Sequence, residues 1–131
     1  MATRLAMTTL VVPDYDAGIE FFVGALGFHL LEDSDLGAGK RWVVVGTHEG
    51  GQLLIARAAN DAQSAAIGNQ TGGRVGFFVH TDDFAGTRAR LVDAGVMFHD
   101  QPRRESYGTV AVFSDPFGNR WDLIEPKVTG E

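Results

Sequence analysis

The sequence predicts an α+β fold made of two βαβββ modules in a pseudo-twofold arrangement. Three observations carry this expectation. Each half of the chain reads in the same order, a strand, a helix and then three strands. Residues recur at a constant separation of 68: Val11 and Val79, Asp14 and Asp82, Ala17-Gly18 and Ala85-Gly86, Gly27 and Gly95, Val44 and Val112. At the same separation Leu53-Leu54-Ile55 falls on Trp121-Asp122-Leu123. Two copies are too few for a solenoid, which needs at least about three, so the alternative is that the copies close on each other. Third, 131 residues suffice for one compact domain with a true core.

The elements follow in order. Leu5 to Val12 is rich in β-formers and stops at Pro13. Asp14 and Asp16 offer N-caps to a helix running to Leu26, with Ile19, Phe22, Val23 and Leu26 on its apolar stripe and Gly27 as C-cap. Phe21 lies off that stripe, at a candidate subunit contact. Phe28 to Leu31 reads as a strand, SDLGAGK as a loop and Arg41 to Val45 as a second strand. THEGG is a hairpin turn, and Leu53 to Arg57 returns. The small, polar stretch AANDAQSAAIGNQTGG is read as a linker without firm structure, with room for one helical turn over 62–67. Arg74 to Val79 is then a strand, capped onward by Asp82 or Asp83, and Phe84 to Ala94 is a helix ended by Gly95. Met97 to His99, Thr109 to Phe113 and Arg120 to Ile124 are the closing strands, the last two joined by the turn DPFGN. The modules are therefore residues 1–57 and 74–131, joined by linker 58–73 within one compact domain.

Composition narrows the function. A net charge of -6, with no basic cluster longer than Arg103-Arg104, speaks against nucleic acid. The absence of cysteine excludes disulfides, thiolate nucleophiles and Cys-type zinc sites. No apolar run approaches the roughly 18 residues of a membrane span, and MATRLAMTTLVV lacks a signal-peptide layout, so the default expectation is cytoplasmic. His29, His48 and His99 stand on no ligand spacing and read as surface or satisfied polar residues. His80 ends its strand and shares the parity of Arg74.

Three stretches carry a resemblance: LVVPDYDAGIEFFVGALGF, GGRVGFFVHTDDFAGTRARLVDAGV and VFSDPFGNRWDLIE. They resemble the vicinal oxygen chelate superfamily, which holds glyoxalase I, bleomycin and fosfomycin resistance proteins and extradiol dioxygenases. The likeness implies a curved, open eight-stranded sheet with helices on its convex side, a ligand site on the concave side, and a homodimer. Alternation puts Trp121 and Leu123 on one face of the last strand and Asp122 on the other, the concave one.

Metal-dependent members take ligands from a His or Gln early in the first strand, a Glu in the fourth, a His opening the fifth and a Glu in the eighth. Carried across, these positions fall on Met7, Leu54, Arg74 (Val75 if the repeat sets the register) and Asp122. A catalytic divalent ion needs about three or four N or O donors. Met7 offers a thioether, Leu54 nothing, and Arg74 a fixed positive charge that cannot ligate. The expectation is no metal or other cofactor, with Arg74 paired to Asp122 where the ion would be. Phe78, by parity, and Trp42 and Tyr107, near strand starts, would line the rest of the cleft with Met7, Leu54 and His80.

Two function classes stay open. One is a glyoxalase/bleomycin-resistance-like protein without metal, holding a small amphipathic metabolite or drug. The other is a metal-dependent lyase, isomerase or dioxygenase with an atypical ligand set. Whether the protein is an enzyme therefore stays open.

Overall fold

The computed structural model describes residues 2–128. Its contacts gather in two units, Met1–Ile67 and Gly68–Glu131; the ends of the expected modules, at residue 1 and at 129–131, lie outside the described residues.

The first unit begins with strand β1 (Thr8–Val12) and helix α1 (Tyr15–Ile19). Asp14 caps α1 by accepting from the Ala17 N–H at 2.9 Å. The helix continues over Glu20–Ala25 in π register, where the Leu26 N–H donates to the Phe21 carbonyl five residues back. That wider turn brings Phe21 inward beside Phe22; both are buried, so Phe21 is core rather than a subunit contact. Strands β2 (His29–Gly37), β3 (Lys40–Gly46) and β4 (Gln52–Arg57) complete a sheet in the order β1-β4-β3-β2, with β1 parallel to β4. The expected SDLGAGK loop is mostly the end of β2, because pairing with β3 continues to Gly37↔Lys40. One face of the sheet holds Leu10, Val12, Val43, Val45 and Ile55, all fully buried. Gly18 presses α1 onto that face: a Cβ there would meet Ile55 Cγ2 at 2.9 Å.

The expected linker has more structure than its composition suggests. Helix α2 (Asp61–Ala66) forms within it. Asn60 Oδ1 accepts from the Gln63 N–H, and Gln63 Oε1 accepts from the Ala59 N–H, a reciprocal cap readable in the spacing Asn60-x-x-Gln63.

The second unit repeats the plan with β5 (Phe77–His80), α3 (Phe84–Asp93), β6 (Met97–Phe98), β7 (Arg103–Glu105), β8 (Gly108–Ser114) and β9 (Arg120–Pro126). The sheet order is β5-β9-β8-β6, and β7 also pairs β8. Among the described residues the five strands of this unit occupy four positions, since β6 and β7 are one edge strand broken in the middle. Pro102 has no N–H for a ladder, and there Asp100 Oδ1 accepts from the Val112 N–H instead. The α+β architecture of two such modules is thus present.

The helix-side core of this unit is aromatic, with Trp121 stacked between Phe77 and Phe113 at centroid distances of 4.9 and 5.9 Å. The DPFGN turn is organised by Asp115, which is buried. Its carboxylate accepts from the Phe117 and Asn119 N–H groups, Asn119 Nδ2 and Trp121 Nε1 at 2.9–3.0 Å.

The repeat needs one correction. Asp83, not Asp82, caps α3, accepting from the Gly86 N–H. In register, Thr9 faces Leu54 and Phe78 faces Asp122, so β1 and β5 correspond at a separation of 69, one more than the helix ends Gly27 and Gly95. The first helix is therefore one residue longer between cap and stop, and the π register absorbs that residue.

Candidate functional site

In the second unit, α3 packs on the face of β9 that carries Trp121 and Leu123. Its Phe84 N–H donates to Glu125 Oε1 at 2.8 Å, and Glu125 shares their parity. Asp122 therefore stands on the other face. Its rung neighbours are Phe78 on β5 and Val112 on β8. Phe78 is 62% exposed, a ring left largely to solvent beside a carboxylate. His80 shares this face one rung on, opposite Ile124, and is exposed.

Asp122 is half-buried, and its Oδ1 is shielded from solvent without a hydrogen-bond partner. Burial pushes its carboxyl above the usual carboxylate range; Arg103 pulls the other way, and Asp100 adds to the rise. Arg103 reaches this face because it pairs with Val110, whose parity is that of Val112 and Asp122. It is itself held by Asp100 at 2.8 Å and Glu105 at 3.0 Å. His99 Nε2 and Ser114 Oγ hydrogen-bond at 2.6 Å on the same sheet.

The expected Arg74–Asp122 pair does not form. Arg74 precedes β5 and is exposed, and its carbonyl accepts from Thr71 Oγ1. The cation that acts on Asp122 is Arg103. It was not singled out in the sequence because the segment RRE was not read as a strand; Arg103-Arg104-Glu105 alone shows no β pattern. Tyr107 lies in the turn between β7 and β8, 52% exposed, with its carbonyl accepting from the Lys127 N–H.

In the first unit Met7 lies just before β1 and is half-buried. Leu54 forms a rung with Thr9 and Val44, as Asp122 does with Phe78 and Val112. Trp42 and Leu54 line one cavity of 540 Å3, together with Tyr15, Lys40, Arg41 and Arg57.

These side chains do not fit a divalent metal. With the corrected register, the residue corresponding to Met7 is Gly76, neither Arg74 nor Val75. The ligand positions then hold a thioether, an alkyl group, no side chain and one carboxylate. Among the described residues no three His, Asp or Glu side chains are grouped to hold an ion.

Residues 4–123 match the family model described as Glyoxalase/Bleomycin resistance protein/Dioxygenase superfamily. An uncharacterized protein of Shewanella frigidimarina (strain NCIMB 400) is 45% identical over 128 residues, 95% of each chain. Among solved structures, TnmS3, an antibiotic binding protein from Streptomyces sp. CB03234, is 29% identical with a TM-score of 0.73, covering 97% of this chain and 99% of its own. A glyoxalase/bleomycin resistance protein from the same Streptomyces is 29% identical with a TM-score of 0.70, covering 92% and 98%.

Proposed function

The chain belongs to the glyoxalase/bleomycin resistance protein/dioxygenase superfamily, and from that membership we propose that it binds a small amphipathic metabolite or drug without a metal ion. The observation that carries the reading is the Asp122 carboxylate, with a solvent-shielded oxygen lacking a hydrogen bond beside the exposed ring of Phe78. A shielded acceptor left unpaired costs roughly 1–3 kcal/mol. A ligand N–H or O–H on the half-buried carboxylate, with its apolar body over Phe78, is the combination usual in small-molecule sites. The likeness to TnmS3, an antibiotic binding protein, supports a ligand of drug size. A homodimer in the cytoplasm is part of the proposal.

Equilibrium dialysis against metal-free bleomycin and a panel of amphipathic aromatic antibiotics tests it. The parent should bind at least one compound saturably. Asp122→Ala and Phe78→Ala should each weaken that binding by about tenfold, a change of about 1.4 kcal/mol. Equal binding by parent and both variants would remove Asp122 and Phe78 from the site.

A further inference from the structure

The first unit holds a cavity whose charge runs against that of the whole chain. The β3–β4 ladder extends from Gly46↔Gln52 only to Val43↔Ile55. Beyond it Lys40–Trp42 stay paired to β2, while Ala56 and Arg57 stay paired to β1. The sheet forks there. The Tyr15 hydroxyl takes the place of the next rung, accepting from the Arg41 N–H at 3.2 Å. The cavity in the fork has a volume of 540 Å3, within the roughly 300–1,000 Å3 of small-molecule sites.

Three cations line this space, Lys40, Arg41 and Arg57, and no Asp or Glu does. Arg41 is already neutralised: Asp33 holds it through both oxygens at 2.7 and 3.1 Å, and Asp16 at 2.9 Å. Among the described residues neither Lys40 nor Arg57 forms an ion pair. The guanidiniums of Arg41 and Arg57 both lie over the Tyr15 ring, 5.3 and 5.5 Å from its centroid. Each gains from the ring, but only Arg41 has carboxylate partners, so the charge of Arg57 is the one left for an anion. Trp42, 37% exposed, adds an aromatic surface to the same cavity. Gln63 accepts from the Ala59 N–H with its Oε1, which leaves its Nε2 as a further donor.

We propose that the fork between β3 and β4 is a binding site for an aromatic carboxylate, with Arg57 and Lys40 holding the carboxylate and Trp42 covering the ring. The planar guanidinium of Arg57 suits a carboxylate bidentately. This site lies within the first unit and does not rest on the Asp122 reading.

The test is calorimetric titration with 2-naphthoate and with its neutral isostere 2-naphthamide, on the full chain at low salt. The parent should bind one 2-naphthoate per chain and bind 2-naphthamide at least about tenfold more weakly. Arg57→Gln should weaken 2-naphthoate about tenfold or more, Arg57→Lys less, and neither should change 2-naphthamide. Arg104→Gln, which removes an equal charge from the second unit, should leave both unchanged. Amide shifts in NMR should move at Arg41 and Trp42. No saturable 2-naphthoate binding up to millimolar concentration, equal affinity for acid and amide, indifference to Arg57, or shifts confined to residues 68–128 would each overturn the site. Those outcomes leave the Asp122 reading standing, because dialysis of Asp122→Ala decides that one separately.

Discussion

Two carboxylates in the stretch DPFGNRWDLIE show how differently one residue type is used. Asp115 is buried and accepts four hydrogen bonds from its own turn and from Trp121, so it holds structure. Asp122 has a shielded oxygen with none. Its carboxyl is raised above the ordinary value of 3.8, chiefly by desolvation. The folded state therefore takes up a proton more readily than the unfolded state. The stability this group contributes is full below 3.8 and is lost as pH rises through the raised folded value. Asp122→Asn removes that loss. The variant's melting temperature should gain on the parent's across the acidic window and hold the gain at neutral pH. Thermal melts of both proteins from below pH 3.8 to neutrality check this; a gap that is flat, or that closes with rising pH, would contradict it. Alternation alone revealed which face Asp122 occupies, because strand parity is local. Its surroundings were not legible, because Arg103 reaches that face only through the pairing of β7 with β8.

At the scale of elements, the first helix holds two glycines in opposite situations. Gly18 lies against the sheet, where an added methyl would meet Ile55 Cγ2 at 2.9 Å and Val12 Cγ1 at 3.6 Å. Both neighbours are fully buried and cannot move aside freely. Gly24, in the π-register stretch, has nothing within 4 Å of a Cβ. Gly18→Ala should destabilise by about 1–3 kcal/mol through overpacking. Gly24→Ala should stabilise by about 0.5–1 kcal/mol, because Ala loses less backbone freedom on folding. Urea unfolding of the two variants checks the opposite signs; a shared sign would mean that helix propensity, and not packing, decides both. The repeat was legible here because caps and glycine stops are short-range signals, and Gly27 and Gly95 both adopt positive φ, 90° and 89°. The extra residue between Asp14 and Gly27 was not legible. A π turn leaves no mark in composition, so a constant separation of 68 falls one residue short at β1 and β5. The same limit hid β7, whose charged RRE segment becomes a strand only by pairing with β8.

Over the whole chain, net charge is a poor guide to any one site. The total is -6, yet the charged side chains that line the fork cavity are cations, because Asp16 and Asp33 are held on Arg41 outside it. The same separation of bulk from site governs the metal question. Members of this superfamily that use a divalent ion need several hard donors in one place. Here the corresponding positions carry Met7, Leu54, Gly76 and Asp122, and one carboxylate cannot supply the three or so donors such an ion requires. Untagged protein should therefore carry far less than one equivalent of iron, nickel, manganese or zinc. Chelation should leave its melting temperature unchanged, because an ion bound to the native state alone would raise that temperature with concentration. Stoichiometric metal that Asp122→Asn releases would show that ligands from elsewhere in the chain complete a site, and would return the protein to the lyases, isomerases or dioxygenases of its superfamily.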